Sequence, residues 1–138
     1  MRVVDIYKVA GILVRERKTL VVRAHKDVST FMTPGGKPES NESALDTLRR
    51  ELGEELGVGK IEASPELLGS FRQEAFNKPG RLVQIDAYLV REFSPEPKPS
   101  QEIAEIRWVT SSEATSMDLA HIFKHDIIPI LVKKGLID

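Results

Sequence analysis

The chain has 138 residues, 41% of them hydrophobic, which is enough for one domain whose core needs no covalent staple. Its 20 basic and 21 acidic side chains leave a formal net charge of -1, so no overall field draws it to nucleic acid or to an anionic membrane. The absence of cysteine excludes disulfides and thiolate chemistry, and it leaves oxygen and imidazole groups as the ligands available to a metal. We therefore expect a single domain over residues 1–138 that recognises any anionic partner locally.

The first predicted element is a β-hairpin. The segments VAGILV and TLVVRA, rich in β-branched residues, flank the charged turn RERK. The apolar run that begins this region is interrupted by charge too soon to span a bilayer or to resemble a secretory signal. We expect a cytoplasmic protein without a membrane segment.

A helix is predicted next, from Ala44 to Leu56. Ser43 and Asp46 form a capping-box pattern at its start, and Gly57 suits the left-handed residue that closes a helix. Leucines spaced three, four and four residues apart give it an apolar stripe for docking on a sheet: Leu45, Leu48, Leu52 and Leu56.

A second hairpin follows, formed by LLGSFRQEAF and RLVQIDAYLVREF around the turn NKPG. In its second strand apolar residues alternate with Gln84, Asp86 and Tyr88, which predicts one buried face and one face toward water or a cleft. The proline-rich SPEPKPS is then a loop, and EIRWV is the last strand. The segment HIFKHDIIPILVKKGLI reads as a C-terminal helix with a kink or late start at Pro129. Strands and helices mixed in this order indicate an α/β layered domain.

The predicted helix crowds three glutamates together. At roughly 100° per residue, Glu51, Glu54 and Glu55 share one arc beside the leucine stripe, where no Lys or Arg lies. A solvated helix face is the ordinary interpretation, but like charges at this spacing destabilise a helix by roughly 0.2–0.5 kcal/mol per pair. A divalent cation removes the repulsion, and carboxylates with backbone carbonyls and water form the shell that Mg²⁺ prefers. Because Mg²⁺ usually takes phosphates as further ligands, the arc predicts a phosphate-handling metal site.

A longer pattern surrounds these glutamates: Gly36, five residues, Glu42, seven residues, then RELGEELGV from Arg50 to Val58. It resembles the complete signature of the Nudix hydrolases, and the flanking TPGGK and the tryptophan-bearing late strand are similar to the MutT-like branch. The resemblance implies a Nudix fold, which is an α/β/α sandwich with a mixed β-sheet. It also implies an enzyme, a pyrophosphohydrolase that uses Mg²⁺, with Mn²⁺ as an alternative ion, to cleave the diphosphate linkage of a nucleotide.

Individual roles follow from the resemblance. Glu51, Glu54 and Glu55 match the metal-binding glutamates, and the carbonyl of Gly36 matches a backbone ligand. Arg50 resembles the arginine that orients a metal-binding glutamate through an ion pair. The resemblance therefore places the metal between the helix and the segment around Gly35 and Gly36, called the glycine loop below.

Other polar residues near this pattern have assignments of their own. Glu42 lies roughly opposite Glu51 on the helical wheel, so we expect it to brace the loop and not to share the metal. Lys37 and Arg23 are candidates for contacts with substrate phosphates, with an exposed charge as the equal alternative for each. Asp86, on the polar face of its strand, is a candidate for lining the cleft.

One more acidic ligand is expected outside the helix. In the MutT-like branch a glutamate shortly before the strand tryptophan completes the metal site or serves as base, and Glu102 before Trp108 has that spacing. Glu105 is its rival, and the general base is left open among Glu54, Glu55 and Glu102. The prolines before Glu102 predict a stiffened loop that swings over bound substrate. His121 and His125 have the spacing of ligands on a helix, yet we expect a structural or exposed role for them.

The sequence also bears on the class of nucleotide substrate. SFRQEAF lacks the proline or tyrosine marker of the ADP-ribose and dinucleoside polyphosphate branches, which favours a nucleoside triphosphate over ADP-ribose or a nucleotide sugar. FKHDIIP also lacks the asparagine with which MutT-like enzymes bind oxidised guanine. A non-catalytic nucleotide-binding module is the alternative from another class, and the intact signature disfavours it. A homodimer is allowed by the resemblance alone.

Overall fold

The structure is a computed structural model and describes residues 4–75 and 79–138. The strands and α-helices of these residues follow one another in this order: β1 Ile6–Arg15, β2 Lys18–Ala24, β3 Asp27–Met32, β4 Gly35–Gly36, α1 Ala44–Leu56, β5 Lys60–Ile61, β6 Glu66–Glu74, β7 Leu82–Val90, β8 Phe93–Ser94, β9 Ile103–Val109, α2 Ser111–Thr115 and α3 Ile128–Lys133.

Strand β1 organises the sheet. It runs parallel to β7 along most of its length, and it pairs antiparallel with β4 at Val9 and Ala10. It pairs with β2 only at Val14 and Arg15. The first predicted hairpin is therefore present but short, because the rest of β1 forms its hydrogen bonds with β4 and β7. Strands β3 and β9 extend the sheet through β2.

The second predicted hairpin is formed by β6 and β7, which pair antiparallel. The end of the sequence predicted for its first strand, Phe76, and the first half of the NKPG turn, Asn77 and Lys78, lie outside the described residues. Parallel and antiparallel pairs occur together, so the sheet is mixed.

Two apolar cores lie on opposite faces of this sheet. On one face, leucines of α1 pack against the odd-numbered β1 residues Val9 and Leu13. On the other face, C-terminal residues such as Phe123 and Leu131 pack against Ala10 and Ile12. Successive residues of a strand point to opposite faces, so one strand contributes to both cores. This arrangement confirms the predicted α/β/α sandwich with a mixed β-sheet.

Helix α1 has the predicted bounds and caps. The Ser43 side chain accepts a hydrogen bond from the Asp46 N–H, and the Asp46 carboxylate accepts one in return from the Ser43 N–H. Gly57 closes the helix at φ 68°, a left-handed conformation that suits glycine. Leu48, Leu52 and Leu56 are completely buried. The capping pattern and the leucine stripe together orient the glutamates of α1.

The C-terminal segment is helical over residues 121–133, as predicted, but the helix is not uniform. Phe123–Ile127 form a π-helical turn in which the N–H of Ile128 donates to the Phe123 carbonyl, and α3 begins only at Ile128. Pro129, which lacks an N–H group, directly follows this π-helical turn, so the irregularity lies where the sequence predicts a kink or late start. Within the described residues no helix is both long and apolar enough to cross a membrane.

Candidate active site

Three carboxylates from two distant segments converge at one end of α1. Glu51 and Glu55 lie one turn apart on the helix, and Glu102 lies in the loop before β9. One carboxylate oxygen from each of the three lies within 4.8 Å of the other two. The structure thus brings together three of the four glutamates predicted as metal ligands.

Glu55 is the most deeply buried member of this glutamate cluster, with 7% of its surface exposed. Its carboxylate accepts a hydrogen bond of 2.8 Å from the Gly35 N–H. Burial, with the neighbouring charges of Glu51 and Glu102, raises the pKa of Glu55 to about 8, although the Gly35 N–H opposes the shift. In the absence of a cation, Glu55 therefore holds a proton at neutral pH.

Glu51 lies against the glycine loop. A Cβ atom added to Gly36 would lie 2.7 Å from the Glu51 carboxyl carbon, closer than real Cβ atoms approach other atoms. Burial raises the pKa of Glu51, and the hydrogen bond from Arg50 opposes this shift. Gly36 thus leaves room beside a partly buried group of carboxylates. A divalent cation would relieve the repulsion between these carboxylates, so the residues present fit such an ion.

Arg50 connects the loop before α1 to the glutamate cluster. Its Nη1 donates to Glu51 Oε1 at 2.7 Å, and its Nε donates to Glu42 Oε2 at 2.7 Å. The hydrogen bond from Arg50 lowers the pKa of Glu42 to about 2, so Glu42 remains charged. Arg50 Nη2 also donates to the Lys37 carbonyl at 3.0 Å. These contacts place Glu42 in the bracing position and Arg50 beside a glutamate of the cluster.

Glu54 and Glu105 lie outside the glutamate cluster. The Glu54 carboxylate contacts Arg50 Nη1 at 3.3 Å, and 39% of its side chain is exposed. Glu105 forms ion pairs with Arg23 and Arg107 on the sheet. Of the two rival positions before the late-strand tryptophan, the structure brings Glu102 to the cluster, while Glu105 is held by the two arginines.

The NUDIX domain family model matches residues 6–130. The chain belongs to the Nudix family. This confirms the family resemblance, and known structures with the same fold include MutT proteins. Of the solved structures with this fold, the solution structure of the Escherichia coli ORF135 protein aligns with a TM-score of 0.71 and 29% identity, covering 94% of this chain and 88% of that one. The crystal structure of the mutator MutT protein from Bacillus halodurans aligns with a TM-score of 0.69 and 26% identity, covering 86% and 80%.

A curated relative matches part of the Nudix chain. The 8-oxo-dGTP diphosphatase of Haemophilus influenzae is 38% identical over 64 residues, which are 46% of this chain and 43% of the relative. The match thus spans less than half the length of either protein. It supports the MutT-like branch, and it leaves the activity of the whole chain to be proposed.

The predicted substrate residues of this Nudix chain have different surroundings. Lys37 is exposed beside the glycine loop. Arg23 is bound to Glu105, donates to the Val28 carbonyl at 2.9 Å, and lies over the Phe31 ring. The two Nη groups of Arg23 are thus occupied by contacts within the protein, whereas its buried Nε has no hydrogen-bond partner among the described residues.

Asp86 lies on β7 next to Val9, whose other neighbour across the sheet is Gly36. Its carboxylate accepts hydrogen bonds from the Tyr7 hydroxyl at 2.6 Å and from Gln84 Nε2 at 3.0 Å. Burial alone would raise the pKa of Asp86, but the hydrogen bonds from the side chains of Ser70, Tyr7 and Gln84 hold it below the usual value. Asp86 is therefore a charged group one strand removed from the glycine loop.

Sequence reasoning missed several contributions to the site. The Gly35 N–H donates a hydrogen bond to the Glu55 carboxylate. The His25 N–H donates one to the Glu102 carbonyl at 2.8 Å. Backbone donors have no side-chain signature, so only the paired strands reveal them.

A cavity of about 260 Å³ lies between the start of β1, β7 and the C-terminal segment, and His121 is one of its lining residues. His121 and His125 are exposed, with ring centroids 4.3 Å apart.

Proposed function

We propose that this protein is a Mg²⁺-dependent pyrophosphohydrolase that cleaves the diphosphate linkage of a nucleotide, with a nucleoside triphosphate as the first substrate. The observation that carries the proposal is the convergence of Glu51, Glu55 and Glu102 beside the glycine loop. Mg²⁺ prefers such an oxygen shell and commonly takes phosphate oxygens as its remaining ligands. Mn²⁺, which prefers similar ligands, is the expected substitute.

Each residue near the cluster has a distinct part in this proposal. Glu51, Glu55 and Glu102 would hold the ion, which when bound lowers the pKa of water and offsets the charge of the phosphoryl oxygens. Arg50 fixes the orientation of Glu51 through its 2.7 Å hydrogen bond. Glu54, outside the cluster and partly exposed, has a carboxylate available to accept the proton of the attacking water. Glu55 must release its own proton when the ion binds.

The cavity beside the C-terminal segment supplies a place for the nucleoside. Thr33, which lines it, lies three residues before Gly36, so a base bound there would leave its phosphates near the glycine loop. Its walls combine apolar side chains such as Ile85 and Phe123 with the polar Gln73 and His121. Mostly apolar walls with a few polar groups are typical of nucleotide pockets. The partial match to an 8-oxo-dGTP diphosphatase supports a triphosphate as the first choice.

A substrate panel tests the proposal. Nucleoside triphosphates, including oxidised guanine forms, ADP-ribose and nucleotide sugars are incubated with Mg²⁺, and the release of pyrophosphate, orthophosphate and nucleoside monophosphate is quantified. We expect pyrophosphate from a triphosphate. Glu55→Gln should lower turnover at least about 100-fold, because loss of a residue that only supports a metal ligand already costs about 10- to 100-fold.

Glu92→Gln is the matched control, since Glu92 is exposed and lies outside the glutamate cluster. Equal turnover by the unaltered protein and Glu55→Gln would refute the assignment. Ligand binding without turnover would indicate the nucleotide-binding module instead. We also propose a single domain over residues 1–138, a cytoplasmic location and a homodimer.

A further inference from the structure

The loop that carries Glu102 has no regular structure of its own. It runs over residues 95–102, between β8 and β9, and its three prolines have no N–H with which to join a ladder. Glu102 is exposed, yet its carboxylate lies within 4.8 Å of the two helical glutamates of the cluster. Attachments elsewhere in the loop must therefore hold Glu102 in position.

Backbone hydrogen bonds provide part of that attachment. They connect the second half of the loop to the C-terminal end of α1 and to the residue after β2: Lys98 N–H to Leu56 carbonyl at 3.0 Å, Ser100 N–H to Glu55 carbonyl at 3.0 Å, and His25 N–H to Glu102 carbonyl at 2.8 Å. The first half of the loop needs a separate anchor.

A bidentate ion pair provides that anchor. Arg15, the last residue of β1, binds Glu96 through two hydrogen bonds, Nη1 to Oε1 at 2.5 Å and Nη2 to Oε2 at 2.9 Å. The guanidinium lies 4.4 Å from the ring centroid of Trp108 on β9, and Phe93 stacks on the same tryptophan. The aromatic contact restricts Arg15, so Glu96 is bound to a group already fixed on the sheet.

We propose that Arg15 and Glu96 are positioning residues for Glu102. By restricting the first half of the loop, they lower the conformational entropy that Glu102 loses when it joins the glutamate cluster around an ion. The idea rests on the proposed metal-dependent function. It extends that function to two residues distant from the glutamate cluster.

The first test measures metal affinity without catalysis. Mg²⁺ is titrated into the protein by calorimetry, without nucleotide, for the unaltered chain and for Glu96→Gln, which keeps the side-chain size but removes the charge. We expect binding about two- to fivefold weaker, the range that partly exposed ion pairs support. Asp138→Asn is the matched control, because it also removes one negative charge from an exposed ion pair, the one between Asp138 and Arg17, at a site outside the loop. Unchanged affinity in Glu96→Gln, or equal weakening in Asp138→Asn, would overturn the proposal.

The second test asks whether Glu96 acts through Glu102. In a Glu102→Gln background, the additional Glu96→Gln change should no longer affect Mg²⁺ affinity. Hydrogen exchange of the Lys98 and Ser100 amides in metal-free protein should be faster in Glu96→Gln than in the unaltered chain. If Glu96→Gln weakens Mg²⁺ binding as much in the Glu102→Gln background as in the unaltered chain, the positioning role is wrong. Unchanged hydrogen exchange of the Lys98 and Ser100 amides would also contradict that role. Neither result would contradict the proposed function. Failure of the unaltered protein to bind Mg²⁺ contradicts the proposed function as well.

Discussion

Glu55 shows how a single residue can be unfavourable for the fold and suited to a site. Its carboxylate is almost completely buried next to two others, and its pKa is raised to about 8. An unfolded chain would release this proton near the ordinary pKa of about 4.5. The native state therefore binds one more proton than the unfolded state between these two values, and folding stability depends on pH there.

The first prediction concerns this pH dependence in metal-free protein. As pH rises from about 4.5 to 8, Glu55 should lower the free energy of unfolding by up to about 1.4 kcal/mol per pH unit, because the native state must increasingly give up its proton. Urea denaturation at several pH values in EDTA measures the slope. Glu55→Gln should remove this contribution, and saturating Mg²⁺ should do so in the unaltered protein. Parallel pH profiles for the two proteins in EDTA would disprove the raised pKa.

Gly36 is the second residue whose identity the site requires. A methyl group there would meet the Glu51 carboxylate at 2.7 Å, so Gly36→Ala must displace Glu51, the glycine loop or both. We expect Mg²⁺ affinity to fall about 10-fold or more, comparable to the loss of a supporting residue. Calorimetric titration measures it.

Gly59→Ala is the control for Gly36→Ala, because a methyl group at Gly59 meets nothing within 4 Å. Gly59→Ala should bind Mg²⁺ as the unaltered protein does. Equal affinities for all three proteins would show that Glu51 can move away from the glycine loop at no cost.

At the scale of elements, the ends of α1 orient the site. The capping box fixes the start of the helix, and Gly57 fixes its end. Between them, the buried leucines set the rotation that places Glu51 and Glu55 at the edge of the core. A change at a cap should therefore lower stability without removing any site residue.

The third prediction tests this cap. Ser43→Ala removes the side-chain acceptor for the Asp46 N–H and should lower the free energy of unfolding by about 1 kcal/mol. Urea denaturation measures it, with Ser40→Ala as the control because Ser40 is an exposed turn residue before the cap. A loss of similar size in the control would mean that the capping hydrogen bond contributes nothing.

At the scale of the whole molecule, the two apolar cores share the strands between them. Leu52 belongs to the core under α1, and Leu131 belongs to the core under the C-terminal segment. Both are completely buried, and β1 contributes alternate residues to each core. Loss of packing on one face should therefore weaken the other face through the common sheet.

The fourth prediction follows from this shared sheet. Leu52→Ala and Leu131→Ala should each lower the free energy of unfolding by about 2–5 kcal/mol within one cooperative transition. Far-UV circular dichroism reports both faces, and the fluorescence of Trp108, the chain's only tryptophan, reports the α1 side. Coincident urea transitions by the two signals would support one domain over residues 1–138. Separate transitions would show that the two cores unfold independently.

Much of the fold follows from short-range patterns. The caps, the leucine spacing and the crowded glutamates predict α1 residue by residue, because each depends on neighbours within about one helical turn. Alternation predicts the strands of the second hairpin. The Nudix signature, which lies in one continuous stretch, is sufficient to predict the family and the layered fold.

The short-range patterns did not predict the interactions between distant segments of the chain. The parallel pairing of β1 with β7 and the position of Glu54 outside the glutamate cluster depend on how strands and loops pack, and local periodicity does not encode packing partners. The Arg15–Glu96 pair joins residues 81 positions apart, and backbone donors such as the Gly35 N–H have no residue type to announce them. The chain order thus specifies which groups are present, and the folded backbone specifies which of them meet.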